Sequence, residues 1–294
     1  MSQTQNSRQP SGFAILTDII SLPVYYETLG TLSIQSGSET GVLDNTVIRT
    51  GPNDDDFAIT GSSSKGATRS AIESILARVE AICIPMACAP KGDFEGSEAI
   101  AGRIKDCGET IRMAKRNQRR KDQSLPVSCP VCQIYGNTFQ KGRVTCHDAR
   151  VIGDPVQAMQ RTHVALDRET GAQSPGALTT IETIPSGTWF KGTFGLTNIL
   201  TEGTGESRKW MVGALVHVLK YVIPHLGLGA KKTAGYGEVN VEIGNPEFVL
   251  LPEEMDETPP EVFIRECLDE WYRKAKIKRP AKEITLYEPP RDSV

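Results

Sequence analysis

The sequence lacks the apolar runs and leader patterns that mark membrane and secreted proteins. None of its uninterrupted apolar stretches approaches the ~20 residues that a membrane-spanning helix requires. Residues 1–12 are polar and no apolar stretch follows Arg8, so neither a secretory signal nor a transit peptide is indicated. We therefore expect a cytoplasmic protein with no membrane partner.

Aromatic residues, histidine and familiar catalytic motifs are also scarce. Aromatic residues make up 6% of the 294 residues, and the four histidines are scattered without metal-ligand spacing. The chain has no nucleophile elbow, paired-carboxylate signature or dinucleotide fingerprint, which excludes the enzyme classes that depend on those motifs.

Basic residues do not exceed acidic residues, but they are clustered. The formal net charge of -3 argues weakly against a nucleic-acid partner. However, six of the ten residues from Arg112 to Lys121 are basic, while acidic residues concentrate between Glu253 and Glu270. A local basic patch binds phosphate even when the total charge is slightly negative. Whether this run contacts RNA, a partner protein or only solvent is left open by the sequence.

Hydrophobic periodicity predicts two helices and four strands. Apolar residues at helical spacing predict one helix that starts near Ser64 and a second that ends at Gly227. Stretches rich in β-branched and aromatic residues predict strands over residues 13–20, 143–152, 188–196 and 236–243. The βαββαβ order predicts an α+β, ferredoxin-like (RRM-like) core, in which two helices cover one face of an antiparallel sheet.

Two long connections interrupt this core, and long connections in a compact domain are usually functional. We predict one domain over residues 1–244, with insertions at residues 83–140 and 157–185, and a C-terminal extension over residues 245–294. The extension contains a predicted helix over residues 261–276, which we interpret as a packing or docking appendage.

Two glycine-rich segments adjoin the predicted helices. Residues 61–69 (GSSSKGATR) lead into the first helix, where free backbone N–H groups and the helix dipole favour an anion. An ordinary helix cap explains that segment about equally well. Residues 227–237 (GLGAKKTAGYG) close the second helix, and four glycines around two lysines favour a contact with a nucleic-acid backbone over a simple loop.

The seven cysteines are an odd number, which in a reducing compartment favours thiols or metal ligands over a disulfide framework. Cys129 and Cys132 have the spacing of a zinc-binding pair. We predict a closed, structural zinc site in the first insertion, formed by Cys88, Cys107, Cys129 and Cys132, with Cys83 as the reserve ligand. A redox dithiol and buried free thiols are the alternatives.

Taken in order, these segments resemble the RAMP superfamily backbone subunits of type III CRISPR interference complexes, in a target-RNA-cleaving, type III-D-like form. The resemblance covers residues 13–241. It is carried by five blocks: GVLDNTVIR (41–49), GSSSKGATR (61–69), CPVCQIYG (129–136), RTHVALDRETG (161–171) and GAKKTAGYG (229–237).

The resemblance implies a ferredoxin-like protein that holds a guide CRISPR RNA. Target RNA, neighbouring RAMP subunits and other type III effector subunits are the further partners that it implies. Residues 157–185, which contain Asp167, would form a thumb β-hairpin wedged between bases, so that one nucleotide is displaced. The implied RNA-binding residues are Ser63, Lys65, Arg69, Arg161, His163, Arg168, Lys231, Lys232 and Gly235.

The resemblance also implies a metal-dependent endoribonuclease, because Asp44 aligns with the acid that cuts target RNA beside the displaced nucleotide. Asp44 would bind Mg²⁺ (or Mn²⁺) or accept the proton of the attacking ribose 2′-OH. Family members often carry a histidine on the preceding strand, where this chain has Leu32-Ser-Ile-Gln35. A non-catalytic RNA-binding scaffold is therefore the alternative, and a guide-processing nuclease that acts as an isolated subunit is a third, less favoured possibility.

Overall fold

The computed structural model describes residues 16–37, 43–50, 56–80, 82–83, 103–104, 107–117, 128–200, 207–253 and 258–289. The strands in these ranges are β1 (Ile19–Thr28), β2 (Arg49–Thr50), β3 (Asp56–Ile59), β4 (Ile82–Cys83), β5 (Arg103–Ile104), β6 (Gly136–Asn137), β7 (Gln140–Lys141), β8 (Val144–Cys146), β9 (Ala149–Ile152), β10 (Met159–Leu166), β11 (Gln173–Thr183), β12 (Trp189–Thr197), β13 (Val239–Ile243) and β14 (Glu247–Leu250). The α-helices are α1 (Gly61–Leu76), α2 (Cys107–Asn117), α3 (Pro130–Tyr135), α4 (Lys209–His217), α5 (Ile223–Leu226) and α6 (Pro260–Ala275). A π-helical turn, Val218–Val222, joins α4 to α5.

A large antiparallel sheet forms the centre of the molecule. Its strands lie in the order β13-β1-β12-β9-β3-β2, with β14 also paired to β1 and β8 to β12. The strand β1 is antiparallel to both of its neighbours, β12 and β13, and β12 is antiparallel to β9. The predicted α+β class is therefore confirmed, and this order is compatible with a ferredoxin-like arrangement.

The helices cover one face of this sheet. Alternate residues of β1 are buried, namely Ile20, Leu22, Val24 and Tyr26. They belong to one apolar cluster with Ile72 of α1 and Leu215 of α4. Because successive side chains of a strand point to opposite faces, this alternation puts both helices on the same side of the sheet.

The first strand lies further along the chain than the sequence predicted. Residues 13–15 of the predicted strand fall outside the described residues, and β1 starts only at Ile19. The strand continues through Pro23, although proline cannot donate a ladder hydrogen bond. The missing N–H of Pro23 is tolerated because this residue lies opposite the break between β13 and β14. The carbonyl of Pro23 accepts the N–H of Gly244 there, at 2.9 Å.

The helix predictions agree more closely with the structure. The first helix begins at Gly61, slightly before the predicted Ser64, and the second runs through the π-helical turn to Gly227. The C-terminal helix α6 packs on α4 so closely that a Cβ on Gly213 would lie 2.0 Å from the carbonyl oxygen of Cys267. None of the described helices combines the length and apolarity needed to cross a bilayer.

A two-stranded hairpin, β10–β11, projects from the core within the predicted insertion at residues 157–185. Its register runs from Met159 opposite Thr183 to Val164 opposite Leu178. Most of its side chains are exposed, and burial returns only at its base, from Ile181 to Thr183. The hairpin therefore presents most of its surface to a potential ligand.

Candidate nucleic-acid interface and metal centre

Asp44 lies on a segment that pairs with the base of the hairpin. Its backbone N–H donates to the carbonyl of Thr180 at 2.9 Å, and its Oδ2 accepts the N–H of Thr180 at 2.6 Å. The next residue, Asn45, forms a parallel bridge with Ile181. Because the Asp44 side chain is exposed, the hairpin holds a carboxylate that is still accessible to a cation or a substrate.

Glu182 connects the hairpin to the chain that follows Asp44. Its Oε2 accepts the N–H of Val47 at 3.0 Å and Nη1 of Arg49 at 2.9 Å, and its Oε1 forms a second contact with Arg49. Burial alone would raise the pKa of Glu182, but the hydrogen bonds from Arg49 and Val47 outweigh it and the pKa is lowered. Sequence reasoning missed this ion pair, whose partners are separated by 133 positions.

A groove of about 430 Å³ separates α1 from the glycine-rich loop at residues 227–237. The α1 wall consists of Ser63, Gly66, Ala67 and Ser70, which share one helix face because they are spaced three or four residues apart. The opposite wall is formed by residues 227–230 and Lys232. The helix side of the groove is therefore smooth, since it carries no side chain larger than serine.

A short ribbon of backbone pairing links this groove to Asp44. Gln35 lines the groove and forms an antiparallel bridge with Val47. One residue further, the N–H of Ser36 donates to the carbonyl of Thr46 at 2.9 Å. Asp44 therefore lies along the same ribbon that supplies part of the groove.

Internal packing explains only part of the glycine content of the loop. Gly229 has φ +77°, and a Cβ there would lie 2.3 Å from the carbonyl oxygen of Ser33. Gly235 also has a positive φ, +83°, but a Cβ there would meet no atom within 4 Å. Of the predicted ligands on this loop, Lys232 lines the groove, whereas Gly235 adjoins open space.

The start of α1 is capped by the protein itself. The Thr60 side chain accepts the N–H of Ser63 at 3.2 Å, and Oδ1 of Asp148 accepts the N–H of Gly61 at 2.7 Å. A Cβ on Gly61 would lie 2.1 Å from the carbonyl oxygen of Cys146. The Asp148 carboxylate thus occupies the positive end of the helix dipole, where the sequence suggested a phosphate.

Lys65 and Arg69 do not line the groove. At roughly 100° per residue they project from a different flank of α1 than the Ser63 face. Nε of Arg69 donates to Oε1 of Glu73 at 2.8 Å, so its charge is already paired within the helix. Lys65 is exposed.

The predicted hairpin residues are divided between its base and its tip. Nε2 of His163 lies 3.0 Å from Oη of Tyr236, which ties β10 to the glycine-rich loop. Arg161 is exposed on the same strand. Asp167 accepts N–H groups at the hairpin turn, which lower its pKa, and Arg168 is exposed beside it. Sequence reasoning did not single out Tyr236, although this residue lies within the glycine-rich segment at residues 227–237.

Four buried cysteines form a cluster: Cys83, Cys107, Cys129 and Cys132. Their Sγ atoms all lie within 4.8 Å of one another. The Sγ of Cys83 is 3.3 Å from that of Cys132 and 3.7 Å from that of Cys129. Four thiolates around one tetrahedral Zn²⁺ at about 2.3 Å have sulfur atoms about 3.8 Å apart, so this cluster fits one zinc ion. Cys88 lies outside the described residues, and the reserve ligand Cys83 completes the four.

The four sulfur atoms lie close enough to change one another's pKa values. Hydrogen bonding with Cys132, and next with Cys83, lowers the pKa of Cys129, and the interaction with Cys129 raises the pKa of Cys132. Burial raises the pKa of Cys107 to about 12. A Zn²⁺ ion would allow all four sulfurs to be thiolates at neutral pH, because its charge compensates theirs.

The cysteine cluster also supports α1. Cys129 and Cys132 lie at the start of α3, and Oη of Tyr135 at its end donates to Oγ1 of Thr68 at 2.8 Å. Thr68 belongs to the buried face of α1, so the cluster braces the helix that forms the groove wall. The predicted basic run begins on α2 with the exposed Arg112, and its residues 118–121 lie outside the described ranges.

Comparison with known proteins supports an RNA-related function. A search of curated proteins finds no significant match. The profile of the RAMP superfamily matches residues 36–240, which include Asp44, the groove, the hairpin and all four clustered cysteines. Members of this superfamily are generally CRISPR-associated RNA-binding proteins. Since the match spans well over half of the sequence, the chain belongs to the RAMP superfamily.

Proposed function

We propose that this chain is a guide-RNA-binding backbone subunit of a type III CRISPR effector complex, of type III-D-like form, that cleaves complementary target RNA at Asp44. The observation that carries the proposal is the position of Asp44: its exposed carboxylate is hydrogen-bonded to the base of the hairpin and lies on the ribbon that leads to the groove. The core is then a ferredoxin-like sandwich, and the hairpin is its thumb.

The groove suits a sugar–phosphate strand. Gly66 lies in the middle of α1, where glycine costs about 0.5–1 kcal/mol relative to alanine, and a Cβ there would meet no protein atom within 4 Å. Protein packing therefore gives no reason for this glycine, whereas close approach of a ligand does. The hydroxyl groups of Ser63 and Ser70 and the ammonium group of Lys232 would contact guide phosphates, with Lys231 and Gly235 beside them.

The hairpin suits a wedge between bases. Val164 and Leu178 are directly paired across its two strands, and their side chains are 48% and 54% exposed. Apolar side chains inserted between base steps unstack them, and exposed apolar pairs of this kind are otherwise costly in water. Arg161 and His163 lie on β10, the strand that carries Val164, and would contact the backbone of the kinked nucleic-acid strand, as would Arg168 at the turn.

The proposed reaction is attack of a ribose 2′-OH on the adjacent phosphorus. The 2′-oxygen loses its proton and forms a bond to phosphorus while the bond from phosphorus to the 5′-oxygen breaks. The 5′-oxygen takes a proton from water, so the products are a cyclic phosphate and a 5′-hydroxyl. Asp44 would accept the 2′-OH proton or bind Mg²⁺ (or Mn²⁺), and a divalent ion there would stabilise charge on the phosphate oxygens. The kink would supply the in-line geometry, and the need for a 2′-OH makes the reaction specific for RNA.

A non-catalytic scaffold subunit is the second candidate. It is favoured by the hydrogen bond that Asp44 already accepts from Thr180, which gives the carboxylate a structural role, and by the absence of histidine from Leu32-Ser-Ile-Gln35. In that case the groove and the hairpin would hold guide and target without cutting.

The test is Asp44→Asn in the assembled complex, with guide RNA, complementary target RNA and Mg²⁺. We expect loss of the cut that belongs to this subunit, by at least about 100-fold in rate, while target binding is retained. The exposed Asp154 provides the control, since Asp154→Asn removes an acid outside the groove and the Asp44 segment. Cleavage at the parental rate in Asp44→Asn would leave the scaffold function as the better description.

A further inference from the structure

The Asp44 segment and the hairpin are joined more firmly than two adjacent loops require. Backbone hydrogen bonds join Asp44 to Thr180, and Asn45 to Glu182 at 3.0 Å. Thr180 and Glu182 are two residues apart on β11, so their N–H groups point to the same edge of the strand. The Asp44 segment is therefore added to the hairpin as a short third strand.

Glu182 is an unusual residue to find at the base of an otherwise exposed hairpin. It is only 8% exposed, between Ile181 and Thr183, which are also buried. Acidic residues are seldom buried unless they are paired. Glu182 is paired twice, to the N–H of Val47 and to the guanidinium group of Arg49.

Arg49 in turn is anchored to the central sheet. It pairs with Phe57 of β3 in the backbone register, and its guanidinium carbon lies 4.8 Å from the centre of the Phe57 ring. A continuous set of contacts thus runs from β11 through Glu182 and Arg49 to the sheet. Asp44 lies directly beside the hairpin end of that set.

We propose that Glu182, held by Arg49, is a positioning residue that fixes Asp44 relative to both the hairpin and the central sheet. This inference rests on the proposed cleavage at Asp44, and it adds how the reactive carboxylate is held. The nucleotide displaced by the hairpin and the carboxylate beside it then keep a constant separation. Loss of the ion pair leaves Asp44 present but poorly placed.

The expected effect is on the rate of the chemical step. A displacement of about 1 Å in a reactive group costs up to ~100-fold in rate, so we expect Glu182→Gln to slow single-turnover cleavage roughly 10- to 100-fold. Binding of guide and target is expected to stay within about twofold, because neither Glu182 nor Arg49 lines the groove. The conservative Arg49→Lys keeps a cation opposite Glu182 and should recover part of the rate that Arg49→Met loses.

The experiment has two readouts. Hydrogen exchange over residues 43–49 of the full chain reports the backbone bonds of the Asp44 segment, and single-turnover cleavage in the assembled complex reports the chemistry. Glu242→Gln is the matched control, since it breaks an ion pair with Lys220 whose side chains are similarly shielded, at 12% and 22% exposure. We expect faster exchange and slower cleavage in Glu182→Gln and Arg49→Met, and neither change in Glu242→Gln.

The two proposals fail in different ways. Parental cleavage by Glu182→Gln, with cleavage lost in Asp44→Asn, would overturn the positioning role and leave the proposed function intact. If Asp44→Asn also cleaves normally, cleavage at Asp44 is refuted, and unchanged exchange over residues 43–49 would separately refute the structural link. Should Glu182→Gln fail to fold, Arg49→Lys and Arg49→Met decide the question, and equal cleavage rates for those two would reject it.

Discussion

The two sides of helix α1 have opposite characters. The groove side carries Ser63, Gly66, Ala67 and Ser70, which are small. The other side is anchored by Thr68, which binds Tyr135 of the helix that begins at the cysteine cluster. The groove side of α1 is therefore accessible to a ligand, whereas the other side is bonded to the rest of the protein. Different faces of one helix thus provide rigidity and access.

Loss of the proposed zinc ion should have the largest effect, because it removes the support for the bonded side of α1. We expect about one zinc per chain, and we expect Cys83→Ser and Cys132→Ser to lose it, because each contributes a sulfur to the cluster. Loss of a structural zinc site removes several kcal/mol, which corresponds to a melting temperature lower by about 10 °C or more. Metal analysis and thermal unfolding measure both effects.

Two further cysteine variants sharpen the zinc prediction. Cys146 lies outside the cluster, so the Cys146→Ser protein should still bind zinc. Cys88→Ser should also keep it if Cys83 is the fourth ligand, and loss of zinc in Cys88→Ser alone would favour the ligand set first predicted from the sequence. A purified chain without stoichiometric zinc would contradict the site as a whole.

A bulky side chain in the groove should block the open side of α1 and leave the contacts of its bonded side unchanged. Gly66→Leu places a side chain where a Cβ meets no protein atom within 4 Å, so the helix should fold normally. We expect RNA binding to weaken by at least about tenfold, since a filled groove loses well over 1.4 kcal/mol of contacts. Equilibrium RNA binding and thermal unfolding of the same sample measure the two effects separately.

Gly66→Ala is the matched control for that variant. Alanine removes the helix penalty of glycine and should raise the free energy of unfolding by about 0.5–1 kcal/mol. We expect it to lose less RNA affinity than Gly66→Leu does. Parental RNA affinity in Gly66→Leu would mean that the strand does not pass through this groove.

The sequence predicted what depends on local pattern. Helical periodicity predicted α1 and α4 with small errors at their ends, and the spacing of Cys129 and Cys132 predicted two members of the four-cysteine cluster. Cys107 was also predicted, but Cys83 was only the reserve behind Cys88, because these cysteines belong to separate parts of the chain and no spacing rule connects them. The first strand was placed too early, and it passes through Pro23, whose compatibility with a central position depends on the break between β13 and β14.

Contacts between distant parts of the chain were beyond the sequence. Glu182 and Arg49 are 133 positions apart, and although Arg49 ends the block at residues 41–49, nothing in the sequence pairs it with Glu182. The same limitation applies to the side of α1 on which a basic residue falls. Glycine and lysine near a helix start favour phosphate binding, but only the packing of α1 on the sheet decides which flank faces the groove.

Substitutions of Lys65 and Lys232 test which flank of α1 contacts the RNA, and they have the smallest expected effects. The resemblance predicts that both bind RNA, whereas the groove is lined by Lys232 and not by Lys65. We expect Lys232→Ala to weaken RNA binding for all sequences alike and to reduce the salt slope by about 1, because a phosphate contact carries no base information. Lys65→Ala should have the smaller effect, and Lys278→Ala, at an exposed position in the C-terminal extension, serves as the control. A larger loss of slope in Lys65→Ala than in Lys232→Ala would move the guide backbone from the groove to the opposite flank of α1.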